Sequence, residues 1–213
     1  MVSVKNHAGD IDEKTRIQIE ECASKPFVIG AALMPDAHAG YVAPIGSVLQ
    51  TQQYVVPAWV GFDIGCGMTA VKITQTSAYK DILSHKQDIF AKVPKFVPMG
   101  KGKLRQKETL TPQTITKFKK LVESFKKGAY QKSILNFIQS ASYNHLGTLG
   151  DGNHFIELCQ NDDDHTLWIV VHSGSRGIGY KLAQKYMKIA AKEETKFEQT
   201  FPLDIDSQEG KEY

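Results

Sequence analysis

Residues 62–68 read Phe-Asp-Ile-Gly-Cys-Gly-Met (FDIGCGM), and they place a carboxylate and a thiol three positions apart. The apolar run YVVPAWVGF (54–62) precedes this stretch, and the β-like run TAVKIT (69–74) follows it. Glycine on both sides of the cysteine permits a tight turn and leaves room for a bulky ligand. The stretch therefore predicts a connection into a strand, with polar side chains fixed at the end of that strand.

Three further stretches repeat this arrangement of polar residues beside an apolar run. They read MPDAHAG (34–40), LGTLGDGNHFIEL (146–158) and VVHSGSRGIG (170–179). The first two concentrate His, Asp and Gly, and the third has its histidine at the exit of an apolar run. Sheet proteins commonly place binding residues at such positions, because the strand fixes the side chain and the loop leaves it open. Together the four stretches predict a site assembled from several strand ends.

The remaining pattern mixes paired strands with grouped helices, which predicts an α+β or irregular mixed α/β fold with mixed sheets flanked by helices. The predicted strands are 26–35, 47–52, 54–62 (where Pro57 marks an edge or a break), 69–74, 155–160 and 166–172. The predicted helices are 11–25, 78–92, 113–127, 130–142 and one from about Gly179, with a loop over 94–112. The last residues, FPLDIDSQEGKEY, predict no settled element.

Composition excludes several classes of protein. The 213 residues have the apolar and charged contents of a soluble globular domain. No apolar run is long enough to span a bilayer, and the N-terminus lacks the apolar core of a signal peptide. Three cysteines do not make a small disulfide framework, so we expect a reducing, cytoplasmic setting. Basic residues are concentrated over 95–127, which is either a solvated helix face with a loop or a contact for phosphates.

Four side chains in these stretches form a candidate metal-binding set: Asp63, Cys66, His154 and His172. A carboxylate, a thiolate and two imidazoles suit several transition metals, so the set does not name one. Zinc fits thiolate and imidazole well, and Mn²⁺, Fe²⁺ and Co²⁺ remain open. The alternative is structural, because a single cysteine among apolar residues is usually a small hydrophobe, and a single histidine is usually a core or surface group.

The loop SGSRGIG (173–179) opens a predicted helix and is a candidate phosphate site. Backbone N–H groups at a helix start and the guanidinium of Arg176 both suit phosphate. The loop is not a Walker A motif, because no Lys-Ser/Thr pair follows its glycines. The alternative is a helix N-cap provided by Ser173 or Ser175. Four other histidines have no such context and are interpreted as surface or structural groups: His7, His85, His145 and His165.

The stretches MPDAHAGYVAPIGSV, VPAWVGFDIGCGM, HLGTLGDGNHFIEL and HSGSRGIG resemble, in the same order, the motifs of the RtcB family of RNA-splicing ligases. The resemblance runs from about residue 25 to the end and is weakest over 77–142. It implies an enzyme that joins RNA ends carrying a 2′,3′-cyclic phosphate or 3′-phosphate to 5′-hydroxyl ends, in tRNA splicing or RNA repair. It also implies GTP and two Mn²⁺ ions as cofactors, and a histidine–GMP intermediate that passes GMP to the RNA 3′-phosphate.

The resemblance further implies roles for individual metal ligands. Asp63 and His154 match ligands of one Mn²⁺, and His172 matches a ligand of the second. Cys66 matches a thiolate shared by the two ions. A bridging thiolate is chemically reasonable, because its negative charge screens the repulsion between two neighbouring cations.

Other residues match positions that contact the nucleotide, the RNA or the surroundings of the metals. Asn153 resembles a residue at the guanylate phosphate, and Glu157 one that reads the guanine edge. Arg176 is similar to an arginine near the RNA phosphate. Asp36 and His38 are expected to lie near the metals and to orient the metal ligands without binding the metals themselves.

The chain departs from the family pattern at its C-terminal end. It resembles only the N-terminal half of family members, and none of its seven histidines matches the nucleophile or the third metal-binding histidine. We therefore expect residues 1–213 to be a truncated, N-terminal portion of a single catalytic domain, inactive in ligation by itself. A complementary C-terminal half or an activating protein would then be a partner. The alternatives are a metal-dependent cyclic phosphodiesterase and a non-ligating metal- or RNA-binding module.

Overall fold

The computed structural model describes residues 1–105, 110–126, 135–136, 143–192, 196 and 198–213. The chain divides into two units, the first comprising Met1–Phe62 with Tyr180–Tyr213 and the second comprising Asp63–Gly179. Both contain helices and sheets, and the predicted α+β class is confirmed. The prediction that the chain is the N-terminal portion of one larger domain stays a prediction.

The first unit contains a three-stranded sheet with the order β1-β2-β3. Strand β1 (Val4–Asn6) runs parallel to β2 (Val28–His38), and β3 (Ile45–Thr51) runs antiparallel to β2. Helix α1 (Glu13–Ala23) connects β1 to β2, and the side chain of Asp12 caps its first turn. The buried residues of α1 recur at helical spacing, so one face of the helix packs into the core of this unit.

The described residues of the first unit also form a two-stranded sheet and a helix that packs beside it. Strand β4 (Tyr54–Val55) pairs antiparallel with β8 (Leu203–Asp204). Helix α7 (Ile178–Ala191) packs beside β8 and contributes buried side chains to a small apolar core. The buried members of that core are Tyr186, Ala190 and Leu203.

The run 54–62 is predicted as a strand with an edge or a break at Pro57, and the break is present. Strand β4 ends at Val55, and Pro57 begins a short helix, α2 (Pro57–Val60). Proline suits the first turn of a helix, because the N–H that it lacks would have no partner inside the helix. The last residues are predicted to carry no element, but they form β8 and then α8 (Gln208–Glu212), which Ser207 caps.

The second unit contains an antiparallel sheet with the order β5-β7-β6. Its strands are β5 (Gly67–Lys72), β6 (Phe155–Gln160) and β7 (Leu167–Ser173), as the apolar runs predict. Residues paired directly across an antiparallel sheet share a face. Because His172 pairs with Met68 on one side and Phe155 on the other, these three side chains lie on one face.

The helices of the described part of the second unit include α3 (Tyr79–Ser84), α4 (Lys86–Phe96), α5 (Pro112–Lys126) and the single turn α6 (Tyr143–His145). A single helix over 78–92 is predicted, but α3 and α4 meet at His85, and α4 continues through Pro94 into the predicted loop. The predicted helix over 130–142 falls mainly outside the described residues. No helix in the described part of the chain has the length and apolar character needed to cross a membrane.

Candidate metal centre

The connection into β5 carries two of the predicted ligands. The Cys66 amide donates a hydrogen bond to the Asp63 carbonyl at 3.2 Å, which closes a turn between them. Gly65 lies inside this turn with a φ of +82°, a conformation that favours glycine. The turn keeps both side chains exposed and places them beside the start of the strand.

His172 reaches the same place from the central strand β7. Its Nδ1 lies 3.1 Å from the backbone carbonyl oxygen of Asn153. Because a carbonyl oxygen only accepts hydrogen bonds, Nδ1 carries the proton, and the lone pair of Nε2 remains available to a metal. The carbonyl therefore fixes both the orientation and the tautomer of this imidazole.

Asp63, Cys66 and His172 come together as a candidate metal-binding cluster. One ligand atom from each residue lies within 4.8 Å of the other two, although His172 is more than 100 positions from Asp63 and Cys66 in the sequence. The cluster offers an oxygen, a sulfur and a nitrogen, which together suit Mn²⁺, Fe²⁺, Co²⁺ or Zn²⁺. The residues present thus fit a divalent cation, and their side chains leave it open to a ligand from solution.

His154, the fourth predicted ligand, lies beside the cluster and contacts Asp63. Its Nε2 donates a hydrogen bond to Asp63 Oδ2 at 3.1 Å, and its side chain is only 8% exposed. Its ring stands edge-on to that of His172, with 5.2 Å between the ring centroids. In this arrangement His154 orients Asp63, and it becomes a metal ligand only when Nε2 gives up that hydrogen bond.

The electrostatics of the cluster favour a cation. Partial burial raises the pKa of the Cys66 thiol, and the negative charge of Asp63 raises it further. A thiolate beside a carboxylate therefore needs a positive partner, which a bound divalent ion supplies.

The loop after β7 makes one hydrogen bond at the start of the helix and another that anchors Arg176. Ser175 Oγ accepts a hydrogen bond from the Gly179 amide at 2.9 Å, which supports the alternative in which Ser175 caps the first turn, whereas phosphate binding by this loop stays a prediction. Arg176 has a φ of +53°, and its Nε donates to Thr148 Oγ1 at 3.0 Å. Its role at an RNA phosphate stays a prediction.

Small residues around His154 were missed by the sequence reasoning. A Cβ atom added at Gly174 would come closer than 3.0 Å to the imidazole of His154, and one at Gly150 would meet both His154 and Arg176. Thr148 is buried and bonded to Arg176. The pattern Gly-Thr-Leu-Gly was the only available signal, and it does not say which neighbour each residue contacts.

The nucleotide-binding predictions fall on exposed residues. Asn153 uses its backbone carbonyl to hold His172, and its side chain is exposed. Glu157 lies two positions along β6 from Phe155, on the same face of the sheet as His172. Its contact with guanine stays a prediction.

Asp36 and His38 belong to the first unit, at the end of β2. His38 Nδ1 donates to the backbone carbonyl of Asp36 at 2.7 Å, and both residues are exposed. Their predicted role behind the metal ligands stays a prediction.

The sequence profile described as "tRNA-splicing ligase RtcB" matches residues 18–213. The RNA-splicing ligase RtcB of Escherichia coli (strain K12) is 36% identical over 198 residues, which cover 90% of this chain and 48% of that protein. The tRNA-splicing ligase RtcB of Nanoarchaeum equitans (strain Kin4-M) is 27% identical, over 93% of this chain and 47% of that protein. The chain spans about half the length of the curated relatives that it matches. On this match, which includes all four strand-end stretches, the chain belongs to the RtcB family.

Proposed function

We propose that this chain contributes the metal-binding part of a GTP- and Mn²⁺-dependent RNA ligase, which joins 2′,3′-cyclic phosphate or 3′-phosphate ends to 5′-hydroxyl ends. The observation that carries the proposal is the cluster of Asp63, Cys66 and His172, whose ligand atoms lie within 4.8 Å of one another. Membership of the RtcB family supports the choice of RNA as the substrate. The free cysteines agree with a reducing, cytoplasmic setting, which belongs to the same proposal.

Each residue of the cluster has a distinct task in this proposal. Bound Mn²⁺ ions would neutralise phosphate charge and polarise the reacting phosphorus. His172 would bind through Nε2, because the Asn153 carbonyl holds its Nδ1 proton. Cys66 would contribute the shared thiolate, and His154 would orient Asp63 or join it as a ligand.

Nucleotide and RNA would approach the exposed side of the cluster. Asn153 and Glu157 are exposed beside it and are assigned to GTP. Arg176 is assigned to the RNA phosphate. The basic face of α5 (Pro112–Lys126) is assigned to the RNA backbone, because a polyanion is held by several lysines at once. A complementary C-terminal half or an activating protein remains a proposed partner.

The first experiment measures Mn²⁺ binding to the purified chain by isothermal titration calorimetry. Cys66→Ser removes the thiolate of the cluster, and we expect the affinity for Mn²⁺ to fall by about tenfold or more. Loss of a residue that only orients a metal ligand already costs about tenfold. Cys159→Ser is the matched control, because Cys159 is also unpaired and lies outside the cluster. Equal affinity for both variants would contradict the proposed site.

A second experiment separates the ligase from the alternatives. The chain is incubated with Mn²⁺, GTP labelled at the α-phosphate and an RNA with a 2′,3′-cyclic phosphate. We expect no covalent label on this chain, because none of its seven histidines matches the nucleophilic histidine of the family. Label on the chain would contradict that assignment, and opening of the cyclic phosphate without label would favour a cyclic phosphodiesterase. Metal binding with neither reaction would favour a binding module.

A further inference from the structure

Thr148 stands out among the residues near the candidate metal centre because it is buried and uses its hydroxyl twice. The residue is only 7% exposed. The hydroxyl donates to the His145 carbonyl oxygen at 2.6 Å and accepts from Arg176 Nε at 3.0 Å. The bond to the carbonyl fixes the hydroxyl hydrogen, so an oxygen lone pair is turned towards the guanidinium.

The bond to Thr148 anchors Arg176 at one edge of its guanidinium. Within the described part of the chain, the two terminal nitrogens make no hydrogen bond, so they are available to a ligand. One of them, Nη1, lies against Gly150 on the side that also faces His154 Nδ1, since a Cβ at Gly150 would collide with both atoms. His154 in turn contacts Asp63 of the metal cluster. Nη1 of the guanidinium therefore lies near the histidine that contacts the metal cluster.

His145, which accepts a hydrogen bond from the Thr148 hydroxyl through its carbonyl, adds little positive charge beside Arg176. Burial lowers the pKa of the His145 ring, and the positive charge of Arg176 lowers it further, so the neutral form of this ring is favoured. The backbone of Arg176 has a φ of +53°, which restricts the direction in which its side chain leaves the main chain. A side chain with a restricted direction that is also tethered at Nε keeps little conformational freedom. A restrained donor of this kind loses less entropy when it binds a ligand.

We propose that Thr148 is a positioning residue, which holds the Arg176 guanidinium so that its terminal N–H groups meet the terminal phosphate of an RNA bound at the metal cluster. This inference rests on the proposed function and adds a residue to it. Arginine binds phosphate best through two parallel N–H donors, and only a guanidinium held at Nε presents its terminal edge in one orientation. Thr148 acts through Arg176 and does not itself touch the RNA.

The test compares two substitutions of Thr148, one that removes only the hydroxyl group and one that removes only the methyl group. Thr148→Val keeps the shape and removes the hydroxyl, whereas Thr148→Ser keeps the hydroxyl and removes the methyl group. The probe is a fluorescent RNA oligonucleotide ending in a 3′-phosphate, with the same RNA ending in a 3′-hydroxyl as its reference. Affinities are measured by anisotropy in the presence of Mn²⁺, and the readout is the ratio of the two dissociation constants.

We expect the unchanged chain to prefer the 3′-phosphate. Thr148→Val lowers this preference by about tenfold, the loss expected when a hydrogen bond to a charged group no longer orients it. Thr148→Ser keeps the preference, and Arg176→Ala abolishes it. Adding Thr148→Val to Arg176→Ala causes no further loss, because the threonine acts only through the arginine. A preference that survives Thr148→Val but not Arg176→Ala would overturn the inference, as would equal losses in the Val and Ser variants.

A second readout does not depend on RNA. In the ¹H–¹⁵N spectrum of the arginine side chains, Arg176 Nε–H is expected to exchange slowly with water, and Arg176→Lys assigns its signal. Thr148→Val should speed this exchange, while Thr148→Ser should not. Unchanged exchange in Thr148→Val would overturn the inference even if the RNA preference is present. Slow exchange without any RNA preference would instead overturn the proposed contact with the RNA end, and with it the proposed function of Arg176.

Discussion

Two glycines set the shape of the space around His154. Gly174 has an ordinary backbone conformation, but a Cβ there would lie closer than 3.0 Å to His154 Cε1 and Nε2. Gly150 combines a φ of +120° with the same kind of close approach to His154 Nδ1. Real Cβ atoms do not come so close, so these positions allow the imidazole to reach Asp63.

Gly174→Ala is therefore expected to weaken Mn²⁺ binding. The added methyl group displaces a buried imidazole that cannot move without losing its bond to Asp63. We expect a loss of about tenfold in affinity, the lower end of the range for residues that orient metal ligands. Titration calorimetry with Mn²⁺ measures it.

Gly67→Ala is the matched control for this substitution. Gly67 begins β5 next to Cys66, yet a Cβ there meets no atom within 4 Å, and its φ is not positive. Its Mn²⁺ affinity should equal that of the unchanged chain. If Gly174→Ala also leaves the affinity unchanged, His154 neither orients Asp63 in the bound state nor joins the site.

Much of the candidate site could be predicted from residue types and from their positions at strand ends. The rest depends on packing contacts that the sequence does not show. Asp63, Cys66 and His172 were selected by their chemistry, and the structure brings them together. Of the two glycines beside Cys66, only Gly65 adopts a positive φ. The contacts of Thr148 and Gly174 depend on a histidine and an arginine brought close by folding. Small residues give no signal of such neighbours in a single sequence.

At the scale of elements, periodicity predicted the long strands and helices, and local chemistry decided their limits. Strands β5, β6 and β7 follow from short β-branched and apolar runs. The strand predicted over 54–62 is limited to Tyr54–Val55, because Pro57 starts a helix at the position where the sequence predicts an edge or a break. The pair β4 and β8 joins residues about 150 positions apart, and its strands are too short to leave a pattern.

Helix α1 leads to a prediction about pH. Its face towards the core includes Cys22, which is 1% exposed, and burial raises the pKa of Cys22 from 9.0 to about 11. The unfolded chain therefore releases the thiol proton at lower pH than the folded chain does. The free energy of unfolding should be unaffected by this group below pH 9 and fall as the pH rises from 9 to 11, by up to about 2–3 kcal/mol.

Urea unfolding of the chain and of Cys22→Ala, measured at intervals from pH 8 to about pH 11, checks this expectation. The alanine variant is less stable throughout because it loses packing in the core. Its free energy of unfolding should fall less steeply with pH, because tyrosines and the other thiols contribute equally to both proteins. Parallel pH profiles would contradict the buried, neutral thiol.

At the scale of the whole molecule, apolar surface is unusually open along one strand. All six residues of β5 are exposed, and they include Met68, Ala70 and Val71. Val71 pairs with Ile169 of β7, so these two side chains form a patch on the face of the sheet opposite His172. Large apolar side chains on an exposed sheet edge are a common cause of association between copies of a chain.

We therefore expect the chain to self-associate, with a mass by light scattering above the 23.7 kDa of one chain. Val71→Lys should reduce this association, because it removes a side chain that is 53% exposed and places a charge beside Ile169. Thr69→Lys is the control, since it adds the same charge to the same face without removing an apolar side chain. A larger effect at Val71 would identify the apolar patch as the cause, and Mn²⁺ binding should survive, because His172 lies on the other face. A stable single-chain mass for the unchanged protein would contradict the expectation.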